Sequence, residues 1–170
     1  MEVALVLDNI RSIHNVGSIF RTADAAGVFK IYLCGITPTP LDRFGDPMPR
    51  FIKVSLGAEK NVPWEYGPST EQILEKLKQQ EFETVAIEQS ETSFLYTKFS
   101  PRKNKIALVV GNETKGIQNT TLSLCDKVIE IPMRGVLSQG KKHPRNTGAG
   151  KESLNVSVAL GIVLFHLLSR

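Results

Sequence analysis

Residues 3–27, VALVLDNIRSIHNVGSIFRTADAAG, contain one complete unit of the predicted fold. The run Val3–Leu7 is continuously apolar, which is typical of a strand that is buried on both faces of a sheet. After a polar stretch that begins at Asp8, apolar side chains recur at helical spacing over Val16–Ala23, and Gly27 supplies a helix stop. The stretch therefore predicts a buried strand followed by a helix.

The same alternation of strand and helix continues along the chain. Further apolar runs predict strands at residues 31–34, 84–87, 106–110 and 128–131. Further helices are predicted after a capping box at 69–72, over about 118–124 and from about 154. The last helix is apolar on nearly every face, which predicts burial on all sides. This alternation indicates an α/β fold with a mainly parallel sheet and helices on both faces.

The composition is that of an ordinary globular domain. The chain has 170 residues, of which 41% are hydrophobic and 22% charged, so residues 1–170 are predicted to form a single domain. Cys34 and Cys125 are too few for a disulfide framework and lack metal-ligand spacing. The N-terminus shows no basic leader, and the longest apolar stretch is shorter than a membrane span. We expect a cytoplasmic protein without a membrane segment or a metal.

The loops that follow the predicted strands are the candidate binding sites, because open parallel sheets bind ligands beyond the carboxyl ends of their strands. Gly111–Gly116 has the glycine spacing of a P-loop, but Ile117 follows where lysine is required. Gly148–Gly150 begins like a dinucleotide fingerprint, but Ser153 replaces its third glycine. No nucleophile elbow and no H-x-x-x-H pair occurs. These observations disfavour an ATPase, an NAD enzyme and a zinc hydrolase.

In chain order, three loops resemble the three motifs of the SpoU (TrmH-like) branch of the SPOUT RNA methyltransferases. Residues 15–23, NVGSIFRTA, are similar to N-x-G-x-x-x-R-T-A, and residues 111–116, GNETKG, are similar to G-x-E-x-x-G. Residues 131–133, IPM, together with 153–159, SLNVSVA, are similar to I-P-M and S-L-N-V-S-V-A. The second motif alone is weak, whereas all three in order are specific.

The resemblance implies an S-adenosylmethionine-dependent methyltransferase that modifies a ribose 2′-hydroxyl of structured tRNA or rRNA. It also implies a C-terminal trefoil knot and a homodimer. The alternative is a knotted RNA-binding protein that has lost turnover. The intact motif residues favour the enzyme.

The resemblance also implies a catalytic set, namely Arg21, Asn15, Glu113, Ser153 and Asn155. Arg21 lies off the apolar stripe of its helix, so it is expected to point away from the core. Its simpler interpretation is a surface arginine paired with Asp24. A guanidinium hardly ever gives up a proton, so we interpret Arg21 as a bidentate phosphate clamp rather than a base. The substrate phosphate or a water would then take the proton.

The other members of the set have structural interpretations beside the catalytic ones. Asn15 and Ser153 stand where helices begin and would act as caps. In its structural interpretation, Glu113 is a carboxylate that is exposed to solvent in a loop. By resemblance, Asn15 positions the substrate or Arg21, Glu113 orients Arg21 or the RNA, and Ser153 and Asn155 line the active site.

S-adenosylmethionine is expected to contact mostly backbone groups, with apolar side chains around its ring. By resemblance, the cofactor-binding residues are Gly111, Ile131, Met133 and Leu154. Core packing is the simpler interpretation of Ile131 and Met133.

Residues 134–152 form a longer connection than the family leads us to expect, and we interpret them as a basic insertion. Its basic residues are Arg134, Lys141, Lys142, Arg145 and Lys151. Contact with RNA phosphates and a tolerated surface loop both account for this segment. Because no segment precedes the first strand, we expect RNA recognition by the catalytic domain itself, the dimer partner or the insertion.

Overall fold

A computed structural model describes residues 1–134 and 153–169. Its strands are β1 (Glu2–Asp8), β2 (Lys30–Cys34), β3 (Trp64–Gly67), β4 (Glu83–Ile87), β5 (Phe94–Leu95), β6 (Lys105–Val110) and β7 (Lys127–Glu130). Its helices are α1 (Ile13–Ala26), α2 (Pro49–Ser55), α3 (Ala58–Asn61), α4 (Thr70–Gln79), α5 (Asn119–Leu124) and α6 (Val156–Leu168), with a 3-10 turn at Tyr96–Lys98.

The seven strands form one sheet in the order β3-β2-β1-β6-β4-β7-β5, and every neighbouring pair is parallel. Leu5 of β1 is paired with Ile31 on one side and with Leu108 on the other. All the carboxyl ends of the strands therefore meet at one edge of the sheet. The loops after β1, β4, β6 and β7 are brought together there, although they are far apart in sequence.

The sheet has a hydrophobic core on each face, because successive side chains of a strand point to opposite sides. Leu5 and Leu7 pack in the core that contains the buried residues of α1, α2 and α6. Ala4 and Val6 pack in the second core, against the buried face of α4. The predicted α/β fold with helices on both faces of a parallel sheet is confirmed.

The predicted helix boundaries are largely confirmed, with two corrections at the caps. Gly27 ends α1 with φ 65°, and Ser69 caps α4 by accepting a hydrogen bond from the Gln72 N–H at 3.3 Å. Asn15 is not a cap, because Ser12 begins α1 and accepts from the Asn15 N–H at 3.3 Å. Ser153 is not a cap either: α6 begins at Val156, and its cap is Asn155.

Two further features differ from the prediction. No helix or strand was predicted over residues 49–68, where the structure has α2, α3 and β3. These elements are short, and of β3 only Gly67 is buried, so they lack a long apolar pattern. Within a single chain, α6 is also not buried on all sides as predicted: Leu160 and Leu164 are buried, but Val158 is 50% and Phe165 49% exposed.

The remaining fold predictions fall partly outside the described residues. Lys141, Lys142, Arg145 and Lys151 lie there, so the basic insertion and the trefoil knot stay predictions. Arg134 is described and is exposed. Within the described ranges, no helix is long and apolar enough to cross a membrane, and no cluster of His, Cys, Asp or Glu could hold a metal ion.

Candidate functional site

A cavity of about 310 Å³ lies at the carboxyl edge of the sheet, between the ends of β4, β6 and β7 and the start of α6. Its walls include all the residues expected to bind a cofactor, namely Gly111, Ile131, Met133 and Leu154. Three members of the expected catalytic set also line it, namely Glu113, Ser153 and Asn155. Ile131 also packs against the core, so packing and cavity lining are compatible at that residue.

The loop after β6 forms one wall of this cavity and is held by its own side chains. The Asn112 carboxamide oxygen accepts hydrogen bonds from the backbone N–H groups of Thr114 and Lys115, both at 3.0 Å. The Asn112 amide nitrogen donates to the Asn9 carbonyl oxygen at 2.8 Å, which ties this loop to the one after β1. At Gly111, a Cβ atom would lie 2.5 Å from the Ile117 nitrogen. Only glycine fits this wall without moving its backbone.

Glu88 holds the far end of the same loop. Its carboxylate accepts a hydrogen bond from the Ile117 N–H at 2.9 Å and one from the Gln89 N–H at 2.9 Å. The side chain is only 8% exposed and lines the cavity. Glu88 was not predicted from the sequence, where the available signal is an acidic residue directly after the apolar run of β4.

Glu113 connects the cavity wall to the start of α1. Its two carboxylate oxygens accept from the N–H groups of Arg11 and Ser12, each at 3.0 Å, and from the Asn15 amide nitrogen at 2.8 Å. The Asn155 amide nitrogen in turn donates to the Asn15 carboxamide oxygen at 3.0 Å. We call Glu113, Asn15 and Asn155 the polar bridge. It joins residues from all three sequence motifs.

The polar bridge keeps Glu113 ionised. Partial burial opposes the charge, but the N–H groups of Arg11 and Ser12 and the Asn15 amide stabilise it, and the net result is a lowered pKa. An ionised carboxylate accepts hydrogen bonds and donates none. It therefore fixes the orientation of the Asn15 amide, which presents its oxygen to Asn155.

Arg21 lies in a second cleft, separate from the cavity. This cleft has a volume of about 650 Å³, and the residues that line it are Arg11, Ile13, His14, Arg21, Arg50, Lys53 and Val54. Within the described part of the chain, Arg21 forms no ion pair with Asp24, whose carboxylate accepts instead from the Asn61 amide at 3.3 Å. Arg21 is exposed, as expected for a residue off the apolar stripe.

The structure thus divides the expected catalytic set. Asn15, Glu113 and Asn155 are joined by hydrogen bonds and Ser153 lies beside them, whereas Arg21 faces the neighbouring cleft. The other cations of that cleft were not predicted from the sequence. Arg50 and Lys53 lie on α2, a helix that was not predicted from the sequence. Their spacing of three residues is the signal that they share one face of that helix.

A parallel α/β sheet whose three motif loops meet at its carboxyl edge is the arrangement that the sequence motifs predicted. The chain belongs to the SpoU rRNA methylase family, whose model matches residues 2–138.

Curated relatives include the 23S rRNA (guanosine-2′-O-)-methyltransferase RlmB of Escherichia coli, which is 33% identical over 95% of this chain and 58% of that protein. The chain thus spans about 58% of the length of the curated relatives it matches.

The solved structures that resemble nearly the whole chain include the following two. The structure described as the A. aeolicus TrmH/SpoU tRNA modifying enzyme is 29% identical, with a TM-score of 0.76 over 99% of this chain and 74% of that one. The AdoMet-bound rRNA methyltransferase from Sinorhizobium meliloti is 27% identical, with a TM-score of 0.76 over 98% of this chain and 55% of that one.

Proposed function

We propose that this protein is an S-adenosylmethionine-dependent RNA methyltransferase that transfers a methyl group to a ribose 2′-hydroxyl of tRNA or rRNA. One observation carries the proposal. A nucleoside-sized cavity and a basic cleft lie on either side of the polar bridge formed by Glu113, Asn15 and Asn155. A methyl donor and a polyanionic acceptor need this combination, because the two reactants must meet at one point.

The residues of the cavity fit S-adenosylmethionine. Ile87, Ile131 and Leu154 supply apolar surface that suits a flat base, and the tight backbone at Gly111 brings main-chain groups to the wall. Glu88 and Glu130 place carboxylates on the same wall, where hydroxyl or ammonium groups of a nucleoside cofactor find acceptors. When bound, this cofactor supplies an electrophilic methyl group on a sulfonium.

The residues of this chain would position the acceptor and remove its proton. Glu113 and Asn155 of the polar bridge line the cavity wall that a ribose hydroxyl would reach, Asn15 holds them in place, and Arg21 would bind the neighbouring phosphate. On methylation, the ribose hydroxyl would lose its proton to the substrate phosphate or to a water, since an arginine hardly ever accepts one. Ser153 completes the wall beside Asn155.

The comparisons support this function and leave the substrate open. The E. coli relative is named for a guanosine of 23S rRNA, whereas the A. aeolicus structure is described as a tRNA modifying enzyme. The S. meliloti structure contains AdoMet. We therefore include an RNA substrate and a cytoplasmic location in the proposal.

We further propose a homodimer that forms through α6. Val158, Ile162 and Phe165 are spaced by four and three residues, so they lie on one helical face, and each is between 37% and 50% exposed. A contiguous exposed apolar face of this kind marks an interaction surface. The opposite face of α6 is buried in the core of its own chain, so a second copy is the partner that we assign to the exposed face.

The test is methyl transfer from labelled S-adenosylmethionine to total tRNA and, separately, to total rRNA, with the RNA digested and its 2′-O-methyl nucleosides identified. Label in one pool that disappears with Arg21→Ala supports the proposal and selects the substrate class. Absence of label together with intact cofactor and RNA binding would instead favour an RNA-binding protein without turnover. Absence of both cofactor binding and label would refute the proposed methyltransferase activity.

A further inference from the structure

The cleft beside the polar bridge is a concentrated cationic site. Arg11, Arg21, Arg50 and Lys53 line it, and no Asp or Glu is among its lining residues. The three salt bridges found in residues 1–134 and 153–169 involve none of these cations. All four side chains are exposed, and their clustered positive charge creates a field that attracts a polyanion.

The fold brings α2 to this position through two close contacts with α1. The ring of Phe20 meets that of Phe51 edge-on, with centroids 5.3 Å apart and an angle of 82° between the planes. At Gly17, a Cβ atom would lie 2.8 Å from the Val54 Cβ atom, so glycine permits the close approach of the two helices. Arg21 and Arg50 each adjoin one of the two phenylalanines in sequence, and both line the cleft between the helices.

Arg11 connects the cleft to the cofactor cavity. Its side chain lines the cleft, while its backbone N–H donates to Glu113, which lines the cavity. A chain of phosphates that occupies the cleft therefore passes directly beside the polar bridge. Arg50 and Lys53 lie on one face of α2, at the wall contributed by that helix.

We propose that Arg50 and Lys53 bind the phosphodiester backbone of the RNA substrate next to the modified nucleotide, so that the α1–α2 cleft is the path by which RNA enters the site. This inference rests on the proposed function. It assigns RNA affinity to α2 in addition to Arg21, independently of the basic segment 134–152. The occupant is RNA rather than an acidic protein, because the cleft adjoins the site where a nucleotide must be held.

The test compares RNA binding by the wild-type chain with binding by the double variant Arg50→Ala/Lys53→Ala. Fluorescently labelled total tRNA and fragmented 23S rRNA are the probes, titrated over about 50–200 mM NaCl. The matched control is Arg102→Ala/Lys103→Ala, which removes two exposed charges next to the amino end of β6, at the opposite edge of the sheet. Cofactor binding and thermal unfolding are measured for all three proteins.

Loss of two phosphate contacts should reduce the slope of log affinity against log salt concentration by about 1.4 to 1.8. We expect this reduction in the α2 variant with unchanged cofactor affinity, and a smaller change in the control. An unchanged slope in the α2 variant, or an equal reduction in the control, would overturn the inference. An acidic peptide that competes with RNA more effectively in wild type than in the α2 variant, with no change in RNA slope, would also overturn it.

The outcomes separate this inference from the proposed function. If the wild-type protein methylates RNA but the α2 variant keeps the wild-type slope, the inference alone fails. If the wild-type protein binds RNA with an α2-dependent slope but transfers no methyl group, the proposed function fails and the phosphate site stands. If the wild-type protein binds no RNA, the inference fails.

Discussion

The backbone N–H of Arg11 donates a 3.0 Å hydrogen bond to the carboxylate of Glu113, which lies 102 residues further along the chain. This bond exists because β1 and β6 are neighbours in the sheet, so the loops at their carboxyl ends meet. Glu113 therefore fixes the start of α1, while the Arg11 side chain reaches into the basic cleft. The Glu113 carboxylate thus fixes the position of the cofactor cavity relative to the proposed RNA path.

Replacing Glu113 by glutamine should abolish most methyl transfer while the protein remains folded. Three donors point at the two Glu113 oxygens, and a glutamine amide would set its own N–H₂ group against at least one of them. Because the site is partly exposed to water, we expect a loss of about 1–2 kcal/mol in the free energy of unfolding. Glu75→Gln on the exposed face of α4 is the control. Wild-type turnover in Glu113→Gln would contradict the role of the polar bridge.

The stabilising contribution of Glu113 should depend on pH in a defined direction. Its folded-state pKa lies below the ordinary value of 4.5, so its contribution is fully present above about pH 4.5 and is lost as the pH falls through the lower, folded value. Urea unfolding of wild type and Glu113→Gln at a series of pH values measures this. The difference between the two proteins should shrink in acid. If the difference in unfolding free energy between the two proteins stayed constant down to the lowest pH at which both fold, this pH dependence would be contradicted.

Substitution of Arg21 by lysine should not restore the function of the arginine. A guanidinium donates two parallel hydrogen bonds to a phosphate, whereas an ammonium acts as a point charge. We expect a fall in kcat of about tenfold, which corresponds to about 1.4 kcal/mol, and a larger fall with Arg21→Ala. Arg102→Lys is the matched control at the other edge of the sheet. Full activity of Arg21→Lys, measured with saturating cofactor, would exclude a fork-shaped clamp.

An alanine at Gly111 should weaken cofactor binding. The added Cβ would lie 2.5 Å from the Ile117 nitrogen and 2.6 Å from the Gly116 carbonyl carbon, both backbone atoms, so the cavity wall must move. Such overpacking costs about 1–3 kcal/mol.

Gly161→Ala in α6 is the matched control for this substitution. There the added Cβ meets only the Thr22 Cγ2 at 3.7 Å, and alanine should stabilise the helix by about 0.5–1 kcal/mol. Calorimetric titration with S-adenosylmethionine and thermal melts distinguish the two variants. Equal cofactor affinity in wild type and Gly111→Ala would show that this backbone does not form the binding wall.

A charged residue at Phe165 should prevent dimer formation. Phe165 is 49% exposed on the apolar face of α6, and an ionised glutamate buried in an interface is strongly unfavourable. We expect Phe165→Glu to have the mass of a monomer by light scattering. Ile36→Glu, which alters an apolar residue that is 64% exposed elsewhere, should leave the mass unchanged. A dimer that persists in Phe165→Glu would place the interface elsewhere.

The sequence predicted those parts of the molecule that depend on neighbours along the chain. Val3–Leu7 forms a strand because its side chains are apolar on both faces, and Ser69 caps α4 because its hydroxyl reaches an N–H three residues away. The predicted helix caps at Asn15 and Ser153 were wrong. The Ser12 side chain caps α1 one turn before Asn15, and the Asn155 side chain caps α6 two residues after Ser153.

Which segments carry the site was determined by the sequence itself, since each motif comes after an apolar strand along the chain. Which side chains meet was decided only by the tertiary structure. The strand order places β1 beside β6, and so Glu113 binds Asn15 and the backbone of Arg11 rather than Arg21. Packing of Phe51 on Phe20 likewise brings Arg50 to the cleft of Arg21. No local pattern encodes these contacts, because they arise from burying two faces of one sheet at the same time.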